Sequence, residues 1–227
     1  MDEDAIGFDI GFDTVNTVVK MGPAKSCLLC RLDGRLRARY NNSVKWRRLL
    51  CIGILLLIVG AVAYWFREGQ LERSQDTPIR AAAQRYGVEP ALIKAVVWRE
   101  SKFHAQARGR AGEIGLMQLR EEAAQEWADA EGVDGFDHEH CLDARTNILA
   151  GTWYLKKLLK RYQQTDDPVP YALADYNAGR GNVLKWFNGP GATNSVAFLE
   201  QIAFPGTKEY VQSVMRQREK YGSISTN

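Results

Sequence analysis

The stretch that decides the fold is residues 91–119, ALIKAVVWRESKFHAQARGRAGEIGLMQL, which places an apolar helix before a turn bounded by glycines. Pro90 precedes the stretch and suits the first position of a helix. Apolar side chains then recur at the three- and four-residue spacing of one buried helix face: Leu92, Ile93, Val96, Val97 and Phe103. Glu100 lies on the same face, four residues after Val96. An ionisable side chain in an apolar face costs free energy, so it is either paired or functional.

Glu100 is also placed where its negative charge is disfavoured. It falls in the last turn of the predicted helix, at the negative end of the helix dipole. Desolvation and the dipole both favour the protonated carboxyl, so the sequence predicts a raised pKa for Glu100. A raised pKa suits a general acid that protonates a glycosidic oxygen. From this stretch alone, the alternative is a structural glutamate paired with Arg99, Arg108 or Arg110.

Three further motifs come after Glu100–Ser101 along the chain. They are GLMQ at 115–118, ADYNAG at 174–179 and FLEQIAFPGTKEYV at 198–211. In order and rough spacing, the four motifs resemble the lytic transglycosylase domain of glycoside hydrolase family 23, over roughly residues 78–221. Four ordered motifs are far more specific than any single tetrapeptide. The chain is therefore identified as a membrane-anchored member of that family.

The part of the chain after the apolar segment has a helical pattern almost throughout. Start and stop signals and apolar periodicity predict helices at 77–86, from Pro90 past Glu100, from Gly115 to about Glu131, from Asp143 through Tyr162, at 168–178, 183–187, 195–202 and 207–221. No alternating strand pattern competes with them. The sequence thus predicts an all-α, lysozyme-like transglycosylase domain over residues 77–227, and the resemblance implies the same fold.

The resemblance implies a reaction that needs one carboxylate. Glu100 matches the family's sole acid and base, which cleaves the β-1,4 bond between N-acetylmuramic acid and N-acetylglucosamine and leaves a 1,6-anhydro end on the muramoyl sugar. No metal or other cofactor is expected. A hydrolytic muramidase would instead need a second carboxylate about 5 to 10 Å away. Glu113 and Asp175 are the candidates for that role.

The resemblance also implies a substrate groove. Its expected residues are Ser101, Met117, Gln118, Tyr176, Asn177, Glu200 and Tyr210. Gln118 can donate and accept hydrogen bonds to acetamido groups. The alternative for Tyr176 and Tyr210 is packing in the core, and for Glu200 it is a surface charge.

The sequence departs from the family at several positions. Gly109 stands where many members carry a serine that hydrogen-bonds near the catalytic glutamate, with Arg108 or Arg110 as possible substitutes for that contact. Ala203 replaces a common proline, Gly206 stands where glutamate is common, and the proline that often comes after the GLMQ motif is missing. These departures leave open a second alternative, a peptidoglycan-binding subunit of an envelope machine that has no catalytic activity.

The N-terminal third predicts a single membrane anchor. Residues 49–66, LLCIGILLLIVGAVAYWF, carry no charge and have about the minimum length of a spanning helix. A basic run ending in Lys45, Arg47 and Arg48 precedes them, so the positive-inside rule places a disordered tail, 1–48, in the cytoplasm and the domain outside the cytoplasmic membrane. Because that run leads directly into the apolar segment, it indicates orientation, with no nucleic-acid binding. The alternatives are a signal peptide cleaved after Ala63 and a start at Met21.

A polar linker, 67–76, is expected between the anchor and the domain, and its nine residues from Glu68 to Asp76 would span about 30 Å when extended. Cys141 is the one cysteine after the anchor, so the exported part cannot form an internal disulfide. Cys27 and Cys30 form a lone CxxC without the second pair that a zinc site needs. Residues 137–141, DHEHC, are predicted to form a polar loop and no metal site.

Overall fold

The computed structural model describes the backbone of residues 28–224 and the side chains of residues 45–222. Within that range the chain is helical, with isolated β-bridges between Arg108 and Ile114 and between Ile114 and Leu119. The helices are α1 (Leu28–Ser74), α2 (Asp76–Tyr86), α3 (Pro90–Ser101), α4 (Glu121–Glu131), α5 (Ala144–Arg161), α6 (Pro168–Ala178), α7 (Arg180–Trp186), α8 (Ser195–Gln201) and α9 (Pro205–Ile224). Short 3-10 turns lie at His138–Leu142 and Gly189–Ala192. The all-α expectation is confirmed.

The chain divides into two compact units, with the boundary in the sequence between Gly60 and Ala61. In the first unit, residues 28–60 belong to helix α1, so residues 28–48 are helical where a disordered tail was expected. The side chains of residues 49–60 are exposed, including Leu50 at 66% and Leu57 at 75%. Among the described residues, this helix is the one long and apolar enough to cross a membrane, with a mean hydropathy of 2.6 in its most apolar window.

In the second unit, the stretch expected to be a polar linker is helical. Helix α1 runs on to Ser74, and Gln75 alone separates it from α2. Residues 67–74 contain no proline, and their Glu, Gln, Leu and Arg side chains favour a helix that is already nucleated by the apolar segment. Leu71 packs against the core of the domain, and Gln75 is buried. The residues expected to form a polar linker therefore continue the helix of the apolar segment.

Helix α3 lies at the centre of the second unit. It packs against α9 and α2, while α5 packs against α2, α4 and α6. The predicted apolar face is buried, and Ala91 and Ala95 are buried as well, so α3 is covered on most sides. Glu100 is consequently held at the end of a helix that the core immobilises.

One predicted helix begins later than expected. Residues 115–120 form a turn, and α4 starts at Glu121 instead of Gly115. Gly115 has a φ of 80° and Gln118 a φ of 46°, and neither value fits a right-handed helix. Apolar residues at 114, 116, 117 and 119 are buried, which explains why their pattern indicated a helix.

Candidate active site

Glu100 occupies the last turn of α3, directly before a strained reversal of the chain. Lys102 and Phe103 have φ values of 52° and 65°, in the left-handed region that side chains other than glycine rarely adopt. The buried ring of Phe103 and the cation–π contact between the Lys102 ammonium and the Trp98 ring hold this reversal in place. Left-handed conformations of such residues cluster at functional sites.

Among the side chains that the structure describes, the carboxyl group of Glu100 has one hydrogen-bond partner, Tyr210 on α9. The Tyr210 hydroxyl donates a hydrogen bond of 2.5 Å to Oε1 of Glu100. Burial raises the pKa of the Glu100 carboxyl to about 7, against the opposing effects of the Tyr210 hydrogen bond and the Arg99 charge. The charge of Glu113 raises it further. Burial and the negative charge of Glu100 also hold the pKa of Tyr210 well above its ordinary value, so Tyr210 stays a proton donor.

The GLMQ turn is fixed by one buried side chain, Asn147 on α5. Its Oδ1 accepts a hydrogen bond of 2.7 Å from the Met117 amide. Its Nδ2 donates to the carbonyls of Ile114 at 3.0 Å and Cys141 at 2.9 Å. A Cβ atom at Gly115 would overlap the Asn147 amide and the Cys141 carbonyl, so only glycine fits there. Asn147 was not among the expected site residues.

Two hydrogen bonds to the backbone orient the side-chain amide of Gln118. Its Nε2 donates to the carbonyls of Ala107 at 3.1 Å and Gly115 at 2.8 Å. With both donor hydrogens engaged, its Oε1 is the remaining polar atom of the side chain and can only accept hydrogen bonds. Gln118 lines the cleft beside Glu100.

Met117 contributes its backbone to the site, and its side chain is fully buried. Its sulfur and Cβ pack against Gly151 of α5. The expected groove position of this side chain was therefore wrong, because the turn directs it inward against a glycine that leaves room for it. The Met117 carbonyl accepts a hydrogen bond of 2.7 Å from the Tyr176 hydroxyl, so Met117 positions that ring.

Tyr176 and Asn177 stand together at the C-terminal end of α6. The Tyr176 ring lies 5.6 Å from the ring of Tyr154, measured between centroids. Asn177 accepts a hydrogen bond of 2.8 Å at Oδ1 from the Thr207 hydroxyl, which orients its Nδ2 as the free end of the amide. Thr207 was not anticipated, because its partner lies thirty positions earlier in the chain.

These side chains surround a cleft of about 370 Å³. Its lining residues are Glu100, Glu113, Gln118, Arg120, Tyr154, Tyr176, Asn177, Ala178 and Gly179. A second depression of about 260 Å³ continues from it, and both share Gln118, Arg120, Tyr154 and Tyr176. The cleft therefore brings together four of the expected residues: Glu100, Gln118, Tyr176 and Asn177.

Four expected residues lie outside this lining: Met117 and Tyr210, which are buried, and also Ser101 and Glu200. The Ser101 hydroxyl donates a hydrogen bond of 3.3 Å to the Val97 carbonyl of its own helix. Glu200 is on the surface, with 73% of its side chain exposed and an ion pair of 2.7 Å to Lys208. The surface alternative for Glu200 is the one that its position in the structure supports. Tyr154 and Arg120 join the cleft without having been expected there.

Of the two candidate second carboxylates, only Glu113 lines the cleft. Asp175 is 2% exposed, and its Oδ2 accepts hydrogen bonds from Arg161 at 2.5 Å and from the Tyr162 hydroxyl at 2.8 Å. The Asp175 carboxylate therefore has a structural role, because it binds Arg161 and Tyr162.

The histidines at 138 and 140 belong to a capped polar turn. The Asp137 carboxylate accepts a hydrogen bond from the Glu139 amide at 2.8 Å, and the Asp137 amide donates to His140 Nδ1 at 3.1 Å. Across the part of the chain that the structure describes, no group of three or more His, Cys, Asp or Glu side chains is arranged to hold a metal ion. Cys27 lies outside that part.

Comparisons with known proteins agree with this geometry. The chain is 34% identical over 130 residues to the soluble lytic murein transglycosylase of Escherichia coli K12, a match that covers 56% of this chain and 20% of the relative. It is 41% identical over 109 residues to membrane-bound lytic murein transglycosylase F of Desulfosudis oleivorans, covering 46% of this chain and 22% of the relative. The chain thus spans less than a quarter of the length of either relative.

Solved structures give the same result. An inactive mutant of the lytic transglycosylase Slt from Pseudomonas aeruginosa superimposes with a TM-score of 0.60 at 27% identity, over 66% of this chain and 24% of that one. The 70 kDa soluble lytic transglycosylase of Escherichia coli gives 0.57 at 28% identity, over 64% and 24%. The sequence model of the transglycosylase SLT domain family matches residues 77–198, more than half of the chain. The chain therefore belongs to the transglycosylase SLT domain family.

Proposed function

We propose that this chain is a lytic murein transglycosylase that cleaves the β-1,4 bond between N-acetylmuramic acid and N-acetylglucosamine in peptidoglycan and forms a 1,6-anhydromuramoyl end. The observation that carries the proposal is the Glu100 carboxyl, which lines a cleft at the end of a buried helix and has a pKa of about 7. A group with that pKa is present in both protonation states at neutral pH, so it can act first as an acid and then as a base.

In the first step, Glu100 donates its proton to the glycosidic oxygen as the bond from C1 to that oxygen breaks. The acetamido oxygen of the same sugar stabilises the electron-poor C1. In the second step, the Glu100 carboxylate removes the proton of the C6 hydroxyl, and O6 bonds to C1. Since Tyr210 occupies Oε1 of Glu100, Oε2 is the oxygen that exchanges the proton. The proton returns to Glu100, so the enzyme is regenerated without water as nucleophile.

The remaining cleft residues bind the glycan. Gln118 presents an acceptor and Asn177 a donor, which together match the N–H and C=O groups of acetamido sugars. Tyr176 and Tyr154 present aromatic surface to the sugar rings. Tyr210 acts as a positioning residue for Glu100.

The proposed location is the cytoplasmic membrane. Residues 49–66 form the spanning segment, the basic N-terminal tail stays in the cytoplasm, and the transglycosylase domain lies outside. The exposed apolar side chains of helix α1 support this arrangement, since water would disfavour such a surface. Peptidoglycan is outside the same membrane.

The test is mass spectrometry of fragments released from peptidoglycan by the full-length protein in detergent. We expect products with 1,6-anhydro ends from the wild-type protein and none from Glu100→Gln. Products with reducing ends would instead indicate a hydrolytic muramidase. Glu113 would then activate the water, because it lines the cleft and Asp175 does not. Absence of products from either protein would indicate a wall-binding subunit.

A further inference from the structure

Glu113 places a second carboxylate in the cleft, and the single-carboxylate mechanism gives it no role. Glu113 lines the cleft around Glu100. It also lines an adjoining depression of about 350 Å³, together with Arg108, Gly109 and Glu139. The side chain is partly buried, at the point where the two cavities meet.

The carboxylate of Glu113 lies directly over the α-carbon of Gly109. A Cβ atom built at Gly109 would overlap Oε2 of Glu113 and would stand 3.0 Å from Oε1 of Gln118. Glycine at 109 is therefore required for the carboxylate to occupy this space. The two positions form one unit, in which the side chain of 113 fills the volume that a side chain at 109 would take.

Backbone contacts hold Glu113 in this place. The Gly109 amide donates a hydrogen bond of 2.6 Å to the Glu113 carbonyl, and the Ala111 amide donates one of 3.0 Å to Oε2. With Oε2 engaged by the Ala111 amide, Oε1 is the oxygen that can serve a ligand. A carboxylate accepts hydrogen bonds and does not donate them, so a ligand group that binds there must be a donor.

We propose that Glu113 is a substrate-binding residue, whose Oε1 accepts a hydrogen bond from a hydroxyl or acetamido N–H of the sugar bound beside Glu100. This inference rests on the proposed function and adds a binding contact to the same cleft. The carboxylate of Glu113 and the Oε1 of Gln118 both lie close to the α-carbon of Gly109, and the donor of Asn177 belongs to the same cleft. The two acceptors would select glycans that present donors to them.

Binding is tested apart from turnover by measuring the affinity of the Glu100→Gln protein for glycan strands freed of peptides. Adding Glu113→Gln to that protein should weaken binding about tenfold, since a charged acceptor is replaced by a neutral amide. Glu209→Gln is the matched control, because Glu209 is exposed and does not line the cleft. It should leave the affinity unchanged. Equal affinities with and without Glu113→Gln would overturn the inference.

The dependence of the Glu113 contact on Gly109 is tested by substituting position 109 alone and together with position 113. Gly109→Ser alone should displace the carboxylate and weaken binding as much as Glu113→Gln does. In the Glu113→Ala protein, Gly109→Ser should cost less than about twofold, because the space is then vacant. Additive losses in the double variant would overturn the inference. Thermal unfolding of each variant separates this effect from loss of fold.

The two proposals fail in different ways. If the wild-type protein releases 1,6-anhydro products and Glu113→Gln leaves both KM and the glycan affinity unchanged, only the role of Glu113 is wrong. If the wild-type protein binds glycan strands through Glu113 but releases no such product, the proposed reaction is wrong and the binding role stands. Absence of glycan binding by the Glu100→Gln protein counts against both.

Discussion

Glu100 is partly protonated at neutral pH because its side chain is buried, and that burial costs folding free energy. Its pKa is about 7 in the folded protein, against 4.5 for the ordinary carboxyl. Between those two pH values the folded state holds a proton that the unfolded chain has lost, so stability falls as pH rises through this window. The difference between the two pKa values corresponds to a loss of folding free energy of about 3 kcal/mol at alkaline pH. Because the side chain is partly exposed, we expect a loss of roughly 2 kcal/mol.

Glu100→Gln should therefore stabilise the protein at alkaline pH while it abolishes catalysis. We expect a free energy of unfolding raised by roughly 2 kcal/mol at pH 8, and a change near zero at pH 4, where the wild-type carboxyl is protonated in both states. Thermal unfolding of the full-length protein in detergent at both pH values measures it. Glu200→Gln, an exposed carboxylate, should change stability by less than about 0.5 kcal/mol. An equal gain at pH 4 and pH 8 would contradict the electrostatic origin.

At the scale of elements, the site depends on how closely α5 approaches the GLMQ turn. Gly151 of α5 lies against Met117, whose carbonyl in turn holds the Tyr176 hydroxyl. A methyl group at 151 would stand 2.9 Å from Cβ of Met117 and would overlap its sulfur. The turn and α5 would have to separate, which moves the acceptor of Tyr176.

Gly151→Ala should consequently destabilise the protein by about 1–3 kcal/mol and reduce cleavage of peptidoglycan. This effect opposes the usual stabilisation of about 0.5–1 kcal/mol when alanine replaces glycine in a helix. Gly181→Ala in α7 is the matched control, since nothing lies within 4 Å of a Cβ atom there. It should be neutral or stabilising. A Gly151→Ala protein as stable as the Gly181→Ala protein would show that the turn adapts without cost.

The features that were predicted correctly depend on residues that are close together in the sequence. The apolar stripe of α3 and the raised pKa of Glu100 come from periodicity and burial, and both agree with the structure. Asn147 and Thr207 escaped prediction because each acts on partners about thirty positions away. Met117 was assigned to the groove by its motif, and a motif does not state which way a side chain points. The helix expected from Gly115 begins only at Glu121, because Gly115 and Gln118 have positive φ angles that tertiary contacts impose.

At the scale of the whole molecule, most of the stretch expected to be a polar linker, 67–76, belongs to helix α1. Residues 67–74 continue the helix and rise about 12 Å, less than half of the reach of the extended linker. Leu71 and Gln75 are packed on the domain, so this end of the helix belongs to the second unit.

The natural cysteines provide a test of the proposed topology. Burial raises the pKa of the Cys141 thiol to about 12, so this residue should not react with maleimides. Cys51 falls within the apolar segment, where the bilayer would shield it from a reagent that cannot cross membranes. Cys27 and Cys30 are then the reactive pair. In spheroplasts, an impermeant maleimide should label neither of them until the membrane is opened by detergent.

The matched variant is Gln70→Cys, an exposed position on the domain side of the segment. Its thiol should be labelled in intact spheroplasts, because positive charges before residue 49 retain the tail inside and direct the domain to the outer side of the membrane. Labelling of Cys27 and Cys30 without detergent, together with protection of Gln70→Cys, would mean an inverted protein. Loss of both N-terminal cysteines from the mature chain would mean cleavage after Ala63. A full-length chain with only position 70 accessible fits an uncleaved anchor, and it would confine the domain to the wall side of the membrane.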